Sequence, residues 1–176
     1  PFDLWTVPVE NQGGQLQAGK PEIFLQTSAS ELVPAFSPDG RWIAYTSGDS
    51  GGTNEIYVRA FPNKGERWQI SNSGGVLPVW SPNGHELFYR TEGQRIMVVT
   101  YVVKGDSFVA DKPRQWTEKR LADTSTYQNF DITPDGKRFV VLMPADGPEE
   151  QNTQNHVTFL LNFFDELRRR VPTGAK

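Results

Sequence analysis

The chain has 176 residues with 18 Lys and Arg against 21 Asp and Glu, a formal net charge of -3, so nothing electrostatic points to nucleic acid or an anionic membrane surface. It has no cysteine, which excludes disulfides and thiolate metal sites, and its longest apolar runs fall well short of the ~18 residues needed to cross a bilayer. Gly 16, Pro 13 and 12% aromatic residues favour short strands joined by many turns over helices.

This length suits one globular domain, residues 1–176, and a start at Pro1 reads as that of an excised or processed fragment. In chain order, residues 3–27 read as the third and fourth strands of a β-propeller blade. Leu4-Trp5-Thr6-Val7-Pro8-Val9 and Leu16-Gln17-Ala18-Gly19-Lys20-Pro21 both recur 92 residues later without a gap, as Ile96-Met97-Val98-Val99-Thr100-Tyr101 and Phe108-Val109-Ala110-Asp111-Lys112-Pro113. Residues 32–71 form a full blade: Pro34-Ala35-Phe36 enters the turn Ser37-Pro38-Asp39-Gly40, then Trp42–Tyr45, Ile56–Val58 and Trp68–Ile70 supply the remaining strands. Residues 76–118 repeat the plan with Ser81-Pro82-Asn83-Gly84, Glu86–Tyr89, Ile96–Val99 and a short strand near Arg114–Trp116. Residues 127–172 begin a last blade with Thr133-Pro134-Asp135-Gly136, Arg138–Leu142 and Val157–Leu161.

The turn residues stand at 37, 81 and 133, spacings of 44 and 52, against ~40–45 for WD-type blades with slack in loops. Proline presets φ for the second position of a type I turn, Asp or Asn suits the third, and glycine takes the positive φ that follows. Four antiparallel strands per unit make a blade. Asn162 then caps a predicted helix with Phe163, Phe164, Leu167 and Val171 on one stripe and Pro172 as its stop, a cover for the edge of the last blade.

The segment from Pro34 to Ser47, followed by Glu55-Ile56-Tyr57-Val58, resembles the WD-like repeat of TolB-type six-bladed propellers. The Trp80-Ser81-Pro82-Asn83-Gly84 unit is also close, while Asp131-Ile132-Thr133 departs from the usual apolar-Ser approach to the turn. Leu161-Asn162-Phe163-Phe164-Asp165-Glu166-Leu167 is similar to the C-terminus of large bacterial propeller proteins. The resemblance implies an all-β fold of about three blades, half of a six-bladed ring, with a short C-terminal helix. It also implies a bacterial protein in a periplasmic or extracytoplasmic setting. Three blades cannot close a ring, so either a longer chain or a second copy, in a homodimer, supplies the rest. A monomeric mass in dilute solution would count against the homodimer.

Chemistry is sparse. Gly48-Asp49-Ser50-Gly51-Gly52 looks like the nucleophile segment of trypsin-like proteases, but that family places its histidine well before the serine. His85 and His156 both follow it, and Gly, Ser and Asp are ordinary turn formers. The two histidines lie in different blades without ligand-spaced partners, and Asp146, Glu149 and Glu150 lack the alternating spacing of a calcium loop. No phosphate loop, nucleophile elbow or kinase signature occurs. Neither catalytic residues, nor a metal, nor a cofactor is expected. Tyr45, Tyr57 and Tyr89 read as inter-blade core.

Propellers bind with the loops that feed each innermost strand, here Thr27–Leu32, Ser71–Leu77 and Thr124–Asn129, and position singles out Glu31, Tyr127 and Gln128 as contacts. The resemblance implies a non-catalytic, protein- or peptide-binding propeller segment. The alternatives are a ligand-sensing module of a bacterial kinase or transcription regulator, and the accessory propeller of a prolyl oligopeptidase-like hydrolase, since propellers host many activities.

Overall fold

The Ser/Thr-Pro-Asp/Asn-Gly motif builds one local structure three times in the computed structural model, which describes residues 1–49 and 51–145. The Ser37 hydroxyl donates to Asp39 Oδ1 at 2.6 Å and accepts from the Trp42 amide at 3.0 Å, while Gly40 N donates to the Ser37 carbonyl at 2.9 Å. Thr133 repeats this with Asp135 (2.5 Å), Arg138 N (3.1 Å) and Gly136 N (2.8 Å). In the middle unit Gly84 N donates to the Ser81 carbonyl at 3.0 Å and His85 N to Asn83 Oδ1 at 3.0 Å. Gly40, Gly84 and Gly136 have φ of 68°, 73° and 68°, the left-handed conformation that a side chain disfavours.

Strand β1 (Leu4–Thr6) leads into a hairpin of β2 (Val9–Gln12) and β3 (Gln15–Ala18), after which β4 (Glu22–Leu25) returns to pair antiparallel with β1. An antiparallel sheet follows in the order β5 (Glu31–Phe36), β6 (Trp42–Ser47), β7 (Glu55–Ala60), β8 (Arg67–Gln69). The next sheet runs β9 (Val76–Trp80), β10 (Glu86–Arg90), β11 (Ile96–Lys104); β11 continues into a hairpin with β12 (Ser107–Ala110), and β13 (Arg114–Gln115) returns to its first half. Finally β14 (Phe130–Ile132) pairs with β15 (Phe139–Val141). The described residues are all-β and arranged as propeller blades. The strand expected over Val157–Leu161, the helix after Asn162, and Ser50, Asp146, Glu149, Glu150 and His156 lie outside the described residues.

The two inserted hairpins are an addition to the sequence reading, and they explain the 92-residue repeat. Strands β3 and β12, 92 residues apart in sequence, occupy the same place in their units. Turn chemistry explains each: Gly13 and Gly14 have φ of 64° and 86°, both central residues of a type I′ turn, and Gly105 (φ 63°) occupies the first central position of the other.

Each middle strand is covered on both faces. All six residues of β6 are buried, because successive side chains point to opposite sides of a sheet. Ile43, Tyr45 and Tyr57 pack with Leu4, Phe24 and Leu25 on one side, and Trp42, Ala44, Ile56 and Val58 pack with Leu87, Tyr89 and Val99 on the other. A third cluster joins Leu77, Phe88, Ile96 and Val98 to Phe130. Tyr45, Tyr57 and Tyr89 are therefore core residues, and burial pushes the Tyr45 and Tyr89 phenols up to about 12.

The turn carboxylates tie stability to acidity. Burial raises the Asp39 carboxyl, but the Ser37 hydroxyl, the Arg41 amide and the Arg41 charge outweigh it and hold the group below its ordinary 3.8. The Thr133 hydroxyl, with the Lys137 amide, lowers Asp135 likewise. Depressed carboxyls stabilise the fold above their unfolded value, and that contribution is lost as pH falls through the folded one. Asp39→Asn should therefore flatten the fall in the urea midpoint between about pH 5 and pH 2; an unchanged slope would show that the turn is no part of the acid response.

Candidate functional site

The first strands of three successive units, β5, β9 and the segment leading into β14, share one cleft of about 520 Å³. Five prolines line it: Pro34 and Pro78 from the strands, Pro38, Pro82 and Pro134 from the turns. Proline has no N–H and is tolerated in a sheet only at an edge, so this wall offers backbone acceptors with few donors. Ala35, on the same wall, is already engaged: its carbonyl accepts from Trp80 Nε1 at 2.9 Å.

Backbone strain recurs on this wall. Val33 has φ of 49° and Leu77 has φ of 58°, and each precedes one of the two strand prolines. The β5–β6 register shifts between Leu32 and Ala35, and the β9–β10 register shifts at the matching place. A β-branched residue at positive φ is a genuine outlier and costs on the order of 1–3 kcal/mol. The bulge recurs 44 residues on, so it belongs to the blade design. Pattern reasoning missed it, although the repeated Val/Leu-Pro pair before the turn was its trace.

The three loops feeding these strands are each tied down by a buried charged side chain. Glu31, at the end of the first loop, is 2% exposed and accepts from the Thr27 hydroxyl at 2.5 Å. In the second, Glu55 accepts from the Ser71 hydroxyl and, at 3.0 Å, from the Gly74 amide. In the third, Arg90 donates through Nη1 to Thr124 Oγ1 at 3.2 Å and through Nη2 to the Ser125 carbonyl. Burial lowers the Arg90 guanidinium below its ordinary value, opposed by Asp123.

The three residues singled out by position therefore separate. Gln128 lines the cleft, with Nε2 donating to the Phe130 carbonyl at 2.7 Å. Tyr127 is 77% exposed on a loop closed by its amide on the Thr124 carbonyl (3.1 Å) and by the Thr124 hydroxyl on its own carbonyl (2.8 Å). Glu31 is buried, with Oε1 accepting from Thr27 and Oε2 buried without a hydrogen-bond partner among the described residues. Among the described residues no group of three or more His, Cys, Asp or Glu converges, and no helix is long and apolar enough to cross a membrane.

No protein-family model matches the chain. It is 32% identical over 82 residues, 46% of its length, to the Tol-Pal system protein TolB of Alcanivorax borkumensis. The blades are TolB-like. The chain spans 19% of that relative's length. Among solved structures, TolB from Acinetobacter baumannii aligns with TM-score 0.49 and 18% identity over 82% of this chain and 39% of that one. A putative TolB from Agrobacterium tumefaciens gives 0.41 and 17% over 60% and 44%, and a Lactobacillus plantarum protein gives 0.41 and 15% over 74% and 41%.

Proposed function

We propose that the chain is a non-catalytic, protein- or peptide-binding propeller segment, with Tyr127 and Gln128 as contact residues and Glu31 as the residue that holds the neighbouring loop. The observation that carries this reading is an exposed tyrosine on a loop held by a buried arginine, beside a proline-lined cleft to which the next residue contributes. A tyrosine with few torsions and a loop already held in place bring contact area at low entropic cost. A wall short of N–H donors suits an extended peptide, whose backbone brings donors of its own. The likeness to a Tol-Pal system protein supports a protein partner over a small metabolite.

The test is capture of partner proteins from a bacterial lysate by the intact chain and by variants. Tyr127→Ala should weaken capture by roughly 10-fold or more, as truncation of a buried aromatic contact does, with Gln128→Ala smaller. Both side chains are surface groups in the free chain, so thermal stability should not move. Unchanged capture by the double variant would remove this face from consideration.

A further inference from the structure

The internal repeat assigns an occupant to a second cleft, which shares Phe36 with the proline-walled one. Where β11 extends into its hairpin with β12, Phe108 is buried among Trp68, Trp80 and Tyr101, ring centroids 6.2, 6.0 and 4.7 Å away, with Trp42 at 5.3 Å. Three of those neighbours have counterparts one junction earlier. Phe36 matches Trp80 by the turn motif. Phe61 matches Tyr101, since their amides donate to the carbonyls of Arg41 and His85, themselves matched. Glu22 matches Trp68, each standing opposite the same position of its third strand. The pairs agree in geometry: Phe36–Phe61 are edge-on at 5.0 Å and 80°, Trp80–Tyr101 at 5.2 Å and 82°.

The earlier junction differs in its cover. Strands β7 and β8 are joined by the short turn 61–66, with no inserted hairpin and no ring in the place of Phe108. Glu22, Phe36 and Phe61 line a cleft there of about 390 Å³, with Ile23 and Pro62 beside them. Phe36 is 53% exposed where Trp80 is 6%, and the first unit has no described counterpart of Trp42, the fourth ring around Phe108. We propose that this cleft is a receiving slot for an aromatic side chain carried on an extended segment of a partner protein, filled as Phe108 fills the next junction. The same chain shows the chemistry of the occupant: a phenyl ring delivered by a strand, edge-on to one aromatic and stacked near another. Aromatic contacts of this kind add about 0.5–1.5 kcal/mol beyond the area they bury, and Trp5, Phe24, Phe36 and Phe61 already line the slot, with Phe24 and Phe36 both against Phe61.

The test uses the whole chain and a synthetic peptide with the sequence of residues 103–110, followed by backbone amide NMR. Saturable shifts are expected at Ile23, Phe36 and Phe61, with the peptide carrying Ala in place of Phe108 binding roughly 2- to 10-fold more weakly. Phe36→Ala in the protein should weaken binding by a similar factor, and Glu22→Trp, which restores the ring found at Trp68, should strengthen it. No saturation up to about 5 mM peptide, equal binding of the Ala peptide, or indifference to Phe36→Ala would each overturn the slot. Phe36 also lines the proline-walled cleft, so the Ala peptide, the Glu22→Trp variant and the shifts at Ile23 and Phe61 are what separate this slot from the face of Tyr127, which lies outside it.

Discussion

Phe108→Ala should lower the stability of the chain by about 3–5 kcal/mol, the range for a fully buried phenylalanine. The ring is 2% exposed and touches Trp42, Trp68, Trp80 and Tyr101. Removing it forfeits the transfer energy, leaves a cavity rimmed by four rigid rings that cannot collapse inward, and strips the ring contacts. The hairpin tip is also held by Arg41, whose guanidinium donates to the Gly105 carbonyl at 3.0 Å and lies 3.6 Å from Asp106. Both groups are exposed, and such pairs contribute little. Urea unfolding followed by tryptophan fluorescence reads the effect directly. The internal control is Leu16→Ala, the same repeat position in the first hairpin but 75% exposed, where a change within about 0.5 kcal/mol is expected. Equal losses at the two positions would refute the idea that the second hairpin fastens one blade to the next.

Glu55→Ala should cost about 2–4 kcal/mol, because it orphans two buried donors at once. The carboxylate receives the Ser71 hydroxyl and the Gly74 amide, and Ser71 Oγ in turn accepts from the Ile56 amide at 2.8 Å. The loop around this network has no slack, since a Cβ on Gly75 would stand 2.6 Å from Ser71 Oγ and 2.9 Å from Ile56 Cγ1. Glu55→Gln keeps one acceptor for the Gly74 amide and should lose about half as much. Hydrogen exchange distinguishes this from a general loss of stability: the amides of Gly74 and Gly75 should lose protection before those of β6. Uniform loss across the sheet would mean that the carboxylate supports the fold and not the loop.

Several features of the fold were legible because they depend on short stretches of chain. The turn motif carries its own hydrogen bonds within six residues, from Ser37 to Trp42, so its residues predict its geometry wherever they occur. The strands after it were legible as apolar runs, since Trp42–Tyr45 and Leu87–Tyr89 can be buried on consecutive positions only between two covering layers. The hairpins were half visible: their sequences aligned at 92 residues, and Gly13-Gly14 marked the turn, but nothing local says whether such a pair continues a blade or stands apart from it. The burial of Glu31 was not legible for a related reason. A glutamate before an innermost strand reads as a surface group, and only the Thr27 hydroxyl, brought to 2.5 Å by the loop path, turns it inward.

The sequence by itself determined the repeating unit, its turns, the order of its strands and its all-β character, because each rests on backbone preferences and a periodicity that any one blade already contains. The tertiary structure alone decided which equivalent positions are filled and which are open. Phe108 and Leu16 occupy the same place in the repeat, as do Trp80 and Phe36, yet one of each pair is buried and the other faces solvent. That difference belongs to neither residue. It arises from what the adjoining blade places opposite, a contact between segments tens of residues apart, and such contacts decide where this scaffold has surface left for a partner.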